Sequence, residues 1–186
     1  MAKLFVITGP SGVGKGTLIR GLRERLPELQ LSVSATTRPP RPGEQDGVDY
    51  HFLDAEEFER RVAAGQFVEH AMYSGNRYGT LRTELEGLLQ EGIPVVLEIE
   101  VQGARQVRSA LPNAFQVFIA PPSVEALRAR LVGRGTDAPD QVDERLRTAE
   151  RELEAQPEFA RVVVNDRLEQ ATDELAGIVA TELRSG

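Results

Sequence analysis

The sequence predicts an α/β fold in which a mainly parallel sheet is flanked by helices. Three observations predict it. Short apolar, β-branched runs at residues 3–8, 95–100 and 114–120 alternate with stretches of helical period. The chain opens as strand, glycine loop and helix, the unit from which parallel sheets are built. Its 186 residues, 40% hydrophobic and 27% charged, suit one compact globular domain with a real core.

The elements follow in order. Residues 3–8 read as a buried strand and 9–16 as a loop. Leu18, Ile19, Leu22 and Leu26 recur at helical spacing until Pro27 stops the helix. Residues 30–34 read as a second strand, and 35–49 as a loop rich in Pro, Gly, Thr and Arg. Asp54 offers an N-cap, with acid in the first turn, to a helix ending near Gly65. Residues 66–80 give short strands about the turn Ser74-Gly75-Asn76, an antiparallel patch. Leu81, Leu85, Leu88 and Leu89 mark a helix that ends at Gly92. Residues 95–100 form an apolar strand interrupted by Glu98, and a helix follows from about Gln102. After the strand at 114–120, helices over 124–131 and 142–153 are separated by Gly133, Gly135 and Pro139. Residues 162–164 are a last strand. Leu168, Leu175, Ile178 and Val179 set a last amphipathic helix. Two pieces stand outside the alternation, an insert over 34–80 and an arginine-rich hairpin over 123–150.

Composition removes several functions. The net charge is −7, so a general affinity for nucleic acid backbone is not expected; any anion must meet a local arginine cluster. There is no cysteine, hence no disulfide or thiolate chemistry, and two histidines cannot build a zinc site by themselves. His51 and His70 are expected to be structural. Nothing in the sequence looks like a membrane span or a leader, and a cytoplasmic setting is the expectation.

The stretch Gly9-Pro10-Ser11-Gly12-Val13-Gly14-Lys15 fits G-x-x-x-x-G-K, the phosphate-binding loop. Glycines let backbone N–H groups turn inward around phosphate oxygens. The helix that follows points its positive end at the same spot. Lys15, one of only two lysines, adds a compact charge that can follow the β- and γ-phosphates. The loop motif usually continues with Ser or Thr, whose hydroxyl binds Mg²⁺. Here Gly16 follows, then Thr17. Mg²⁺ is therefore expected to be held mainly by phosphates and water, and Thr17 to bond an α-phosphate. A switch-type GTPase is disfavoured, since the chain lacks both D-x-x-G and N-K-x-D.

Arg38-Pro39-Pro40-Arg41-Pro42 favours a polyproline II course with three residues per turn. That course puts Arg38 and Arg41 on one side, roughly 9 Å apart at about 3.1 Å per residue, a clamp for a second phosphate. Taken alone, the segment reads equally well as an exposed proline-rich loop.

These stretches together resemble the guanylate kinase family: TGPSGVGKGT, SVSATTRPPRPGEQDGVDYHF, GQFVEHA, GNRYGT, LEIEVQGA, GRGTD and VVVND, in family order and spacing. The resemblance runs over essentially the whole chain. It implies a P-loop NTPase-type parallel sheet within one domain, 1–186. The core would be 1–33, 81–122 and 151–186, with a small mixed α/β monophosphate-binding insert at 34–80 and a helical lid at 123–150. It implies that Arg38, Arg41, Tyr50 and Tyr78 hold the GMP phosphate, and that Ser34, Glu69 and Thr80 read guanine. Chemistry agrees: guanine offers N1–H and N2–H₂ side by side, and one carboxylate can accept both. Glu98 resembles an acid that holds Mg²⁺ through water, and Glu100 a contact near the guanine. Arg130, Arg134, Arg145 and Arg147 would close over ATP, and Asn165 would line its adenosine site. Arg128 and Arg151 read as helix-surface residues. The activity implied is transfer of the γ-phosphoryl of ATP to GMP, and to dGMP, with Mg²⁺, in purine nucleotide metabolism. Neither a nucleic acid, a membrane nor an obligate protein partner is implied. Two other readings are a guanylate-kinase-like binding module without catalysis and a P-loop kinase for another phosphorylated metabolite. The presence of Lys15, the lid arginines and the Ser34, Glu69, Thr80 set argues against both.

Overall fold

The computed structural model describes residues 3–133 and 139–185, the side chains of 139–143 excepted. Five parallel strands form a central sheet. Their spatial order is β2 (Gln30–Leu31), β7 (Val95–Glu98), β1 (Leu4–Thr8), β8 (Phe115–Ala120) and β9 (Arg161–Val164). All five residues of β1 are buried, as a central strand covered on both faces requires.

Alternate residues of β1 feed two cores. Phe5 and Ile7 pack with Leu18, Ile19 and Leu22 of α1 (Lys15–Arg25), with Leu127 and Leu131 of α5 (Val124–Gly133), and with Leu175 and Val179 of α7 (Leu168–Arg184). Leu4 and Val6 pack on the other face with Leu85 of α3 (Arg82–Gln90) and Ala104 and Val107 of α4 (Val101–Ala110). Leu146 and Ala149 of α6 (Pro139–Glu154) join the first core, which ties that helix to the body. Each large side chain so buried contributes about 1.5–3 kcal/mol.

A second, mixed sheet has the order β4 (His51–Phe52), β3 (Ser34–Thr36), β6 (Asn76–Leu81), β5 (Phe67–Tyr73). β3 runs parallel to β4 and antiparallel to β6, and β5 and β6 form the expected hairpin. Helix α2 (Ala55–Ala63) covers it, starting where Asp54 accepts a hydrogen bond from the Glu57 N–H. Phe58 stacks on Phe67 with ring centroids 4.5 Å apart, and Ala35 and Leu81 complete this small core.

The strand expected over 30–34 is two strands in two sheets. Ser32 N–H still donates to Val96 O, but Val33 N–H donates to the Glu84 carboxylate, so the backbone leaves the ladder there. The strand expected over 95–100 stops at Glu98. Pro139 is the first residue of α6 rather than a break before it; proline lacks only an N–H that a first helical residue cannot use.

Candidate active site

β1 ends at Thr8, and the chain turns through Gly9 (φ 144), Gly12 (φ 83) and Gly14 (φ 96) into α1. At Gly14 the backbone is left-handed, and a Cβ would lie 2.7 Å from Asn165 Nδ2. Asn165 is buried, and its amide donates to Val13 O at 2.8 Å, bracing the loop from behind. Lys15 is also buried. Its Nζ donates to Gly9 O at 2.6 Å and lies 3.3 Å from both Glu100 oxygens. Pro10, Gly14, Lys15, Gly16 and Thr17 line a polar hollow with Glu98 and Glu100 at its far wall.

A neighbouring cleft is lined by Ser34, Tyr50, Glu69 and Tyr78, and Glu98 and Glu100 belong to it too. The two hollows therefore meet at the carboxyl end of β7. Strand register explains the cleft. Ser34 pairs with Thr80, and Thr80 with Glu69, across β3, β6 and β5, so all three stand in one row. Tyr78, two residues along β6 from Thr80, faces the same way. Glu69 is 4% exposed and accepts a 2.8 Å hydrogen bond from Thr80 Oγ1. Burial pushes its carboxyl up to about 7, against the opposing Thr80 hydrogen bonds. Its approach to α4 depends on Gly103, where a Cβ would lie 2.5 Å from Glu69 Oε2.

Tyr50 and Tyr78 meet edge to face at 6.1 Å, and burial raises the Tyr50 hydroxyl pKa. The Arg38 guanidinium stands 5.2 Å over the Tyr50 ring and donates to Glu44 Oε1 at 2.8 Å. That Glu44 bond holds Arg38 more firmly protonated than usual. Arg41 is exposed, and it is its backbone N–H that Glu44 Oε2 accepts. Glu44 thus meets both residues, Arg38 through its guanidinium and Arg41 through its backbone N–H, with the Arg41 charge also near the carboxylate. The same carboxylate holds the Arg38 guanidinium beside the Tyr50 ring.

Glu98 meets solvent in the open cleft, yet surrounding protein raises its carboxyl pKa, with Lys15 opposing. Arg130 donates to Asn165 O at 2.8 Å, so it joins the brace behind the loop. Arg145 donates to Ser11 Oγ at 2.9 Å. Arg147 is exposed on α6, and Arg134 lies outside the described residues. His51 is paired with Glu84 at 2.7 Å, and His70 bonds Gln106 only through its backbone, as structural residues would.

Four participants escaped the sequence reading: Glu44, Tyr73, Gly103 and Glu152. Tyr73 donates to Ser11 Oγ at 2.6 Å. Burial and the nearby Glu100 push the Glu152 carboxyl well up, while the Ser11 N–H opposes. Only Gly103 left a local trace, a glycine near the start of a helix.

Similarity to known proteins can be set beside this geometry. The family profile of guanylate kinase matches residues 1–182. The chain is 56% identical over 176 residues to the guanylate kinase of Frankia casuarinae, covering 95% of this chain and 96% of that one. It is 53% identical over 178 residues to that of Thermobifida fusca, covering 96% and 91%. Its fold is similar to the crystal structure of guanylate kinase from Anaplasma phagocytophilum, with a TM-score of 0.79 at 34% identity, covering 97% of this chain and 86% of that one.

Proposed function

The chain belongs to the guanylate kinase family, and from that premise we propose that it moves the γ-phosphoryl of ATP to GMP, giving ADP and GDP. One observation carries the proposal: the phosphate loop and the Ser34–Thr80–Glu69 row open into two hollows that share Glu98 and Glu100 as a common wall.

In this proposal the loop amides of residues 9–17 and Lys15 hold the ATP phosphates, and the lysine exchanges Gly9 O for phosphate oxygen. The hollow between Gly12, Val13, Arg130, Asn165 and Leu168 takes the adenosine. Ionised Glu69 accepts guanine N1–H and N2–H₂, with Ser34 and Thr80 on the remaining edges. Adenine lacks that donor pair and would leave a buried carboxylate unpaired, at about 1–3 kcal/mol or more. Tyr50, Tyr78 and Arg38 orient the GMP phosphate; Arg38 exchanges Glu44 for it, and Arg41 joins when the 34–80 segment closes. The acceptor phosphate is already an anion, so the residues need to position and to neutralise rather than to abstract a proton. In this proposal the 34–80 segment moves around the core, Arg145 already reaches the loop through Ser11 Oγ, and Arg147 brings its charge when ATP is bound.

Mg²⁺ fits the residues present. Glu98 carboxylate oxygens lie 3.4 Å from where a Cβ on Gly16 would stand, so the carboxylate fills space that a loop hydroxyl would use. No cluster of three or more His, Cys, Asp or Glu among the described residues could cage a metal. Phosphates and water would therefore supply most ligands, with Glu98 reached through water. When bound, the ion neutralises phosphate charge.

The test is an acceptor panel with ATP: GMP, dGMP, AMP and a sugar phosphate. Turnover is expected with GMP and dGMP. Preference for AMP or the sugar phosphate would favour another kinase, and binding without turnover a non-catalytic module.

A further inference from the structure

Three segments far apart in sequence meet on one oxygen. Ser11 lies in the phosphate loop, Tyr73 ends β5 in the second sheet, and Arg145 stands on α6. Both Tyr73 Oη, at 2.6 Å, and Arg145 Nη2, at 2.9 Å, donate to Ser11 Oγ. The contacts span 62 and 134 residues, and Ser11 is 8% exposed.

A serine hydroxyl has two lone pairs and one proton. Guanidinium has no acceptor, so Arg145 must take one lone pair. With the more acidic Tyr73 phenol donating to the other, the Ser11 proton is left free to donate elsewhere. Ser11 lines the hollow proposed for the ATP phosphates, whose oxygens can accept its O–H. If either arm withdraws, a lone pair is freed and the hydroxyl can turn away.

We propose that Tyr73 is a positioning residue for phosphoryl transfer, fixing Ser11 as a phosphate donor only when the second sheet and α6 are both docked on the loop. The inference rests on the function proposed above and gives it a coupling between the two substrates. GMP orders the β5–β6 hairpin through Glu69, Tyr78 and Thr80, and so sets Tyr73. ATP orders Ser11 and Arg145. Each substrate then finds part of the junction already ordered by the other. The Tyr73 ring also stands 6.5 Å from that of Tyr78, so removing the hydroxyl alone leaves the aromatic packing in place.

The experiment is a binding cycle with the β,γ-imido analogue of ATP, titrated with and without saturating GMP. In the wild type, GMP should tighten the analogue. Tyr73→Phe should cut that tightening by about 3–10-fold, the worth of one part-buried hydrogen bond, while the Kd for GMP alone moves by less than about twofold. Ser11→Ala should lose the same coupling, and the double variant should lose no more than either single one. The serine variant also reads the junction if Tyr73→Phe folds poorly. Undiminished tightening in Tyr73→Phe, or additive losses in the double variant, would overturn the proposal. So would a wild type that binds both ligands without mutual effect. A wild type that binds neither would overturn the kinase assignment itself.

Discussion

In the proposed function Glu69 is the residue on which guanine selection turns, and its burial makes a pH signature. The folded carboxyl sits at about 7, against an ordinary 4.5. That gap is worth about 3 kcal/mol. Between those values the unfolded chain has lost its proton and the folded chain keeps it. The contribution to stability is therefore greatest below pH 4.5, falls as pH rises, and is flat above about 7. Guanine reverses the preference, because N1–H and N2–H₂ need an ionised acceptor. GMP binding near neutrality should then release a proton from Glu69. At pH 6 only about a tenth of the free protein has it ionised, so GMP affinity should be about tenfold weaker than at pH 8. Calorimetry across this range, in buffers of differing ionisation enthalpy, counts the proton. Glu69→Gln should abolish that part of the pH dependence; titration of the GMP phosphate is common to both proteins and cancels in their ratio. The amide accepts one guanine donor and sets its own N–H₂ against the other, a loss of about 2–4 kcal/mol, or roughly 30–1000-fold in GMP affinity at pH 8. Affinity for the ATP analogue should hold. An unchanged pH ratio, or equal losses on both substrates, would refute the role of Glu69 as the base reader.

Three further outcomes follow. Lys15→Met should lower kcat by about 10²–10³, read in single-turnover transfer from ATP, because a preorganised charge on the moving phosphoryl is lost. Gly14→Ala should cost about 1–3 kcal/mol from its left-handed φ and the clash with Asn165, seen as a melting temperature lower by about 2–4 °C per kcal/mol and as weakened analogue binding. Asp54→Ala should remove the α2 cap for about 1 kcal/mol, again about 2–4 °C, with kcat of the folded protein unchanged.

The phosphate loop was legible because all its requirements are local: a strand, glycines at fixed offsets, a lysine and a helix within a short stretch of chain. The alternation of strands and helices gave the parallel sheet for the same reason. The row of Ser34, Thr80 and Glu69 came from family resemblance: the β5–β6 hairpin was legible, but no local pattern reveals that Ser34, far earlier in the chain, pairs with Thr80. Residues 30–34 look uniform in sequence, yet Glu84 on α3 takes the Val33 N–H and sends the chain into a second sheet. Spacing alone suggested Arg38 and Arg41 as a pair, but not the acid that both of them meet. The Glu44 carboxylate and the Tyr50 ring decide where Arg38 goes. Tyr73 and Glu152 were invisible because their partners, Ser11 for the first and Glu100 and Ser11 for the second, lie dozens of residues away.

The proposed transfer depends most on two phosphate sites that face one another across Glu98 and Glu100. A bisubstrate analogue, guanosine and adenosine joined through a polyphosphate bridge, addresses that arrangement directly in competition binding. One molecule should bind per chain and displace both GMP and the ATP analogue. Displacement of only one of them, or binding of two bisubstrate molecules per chain, would contradict it.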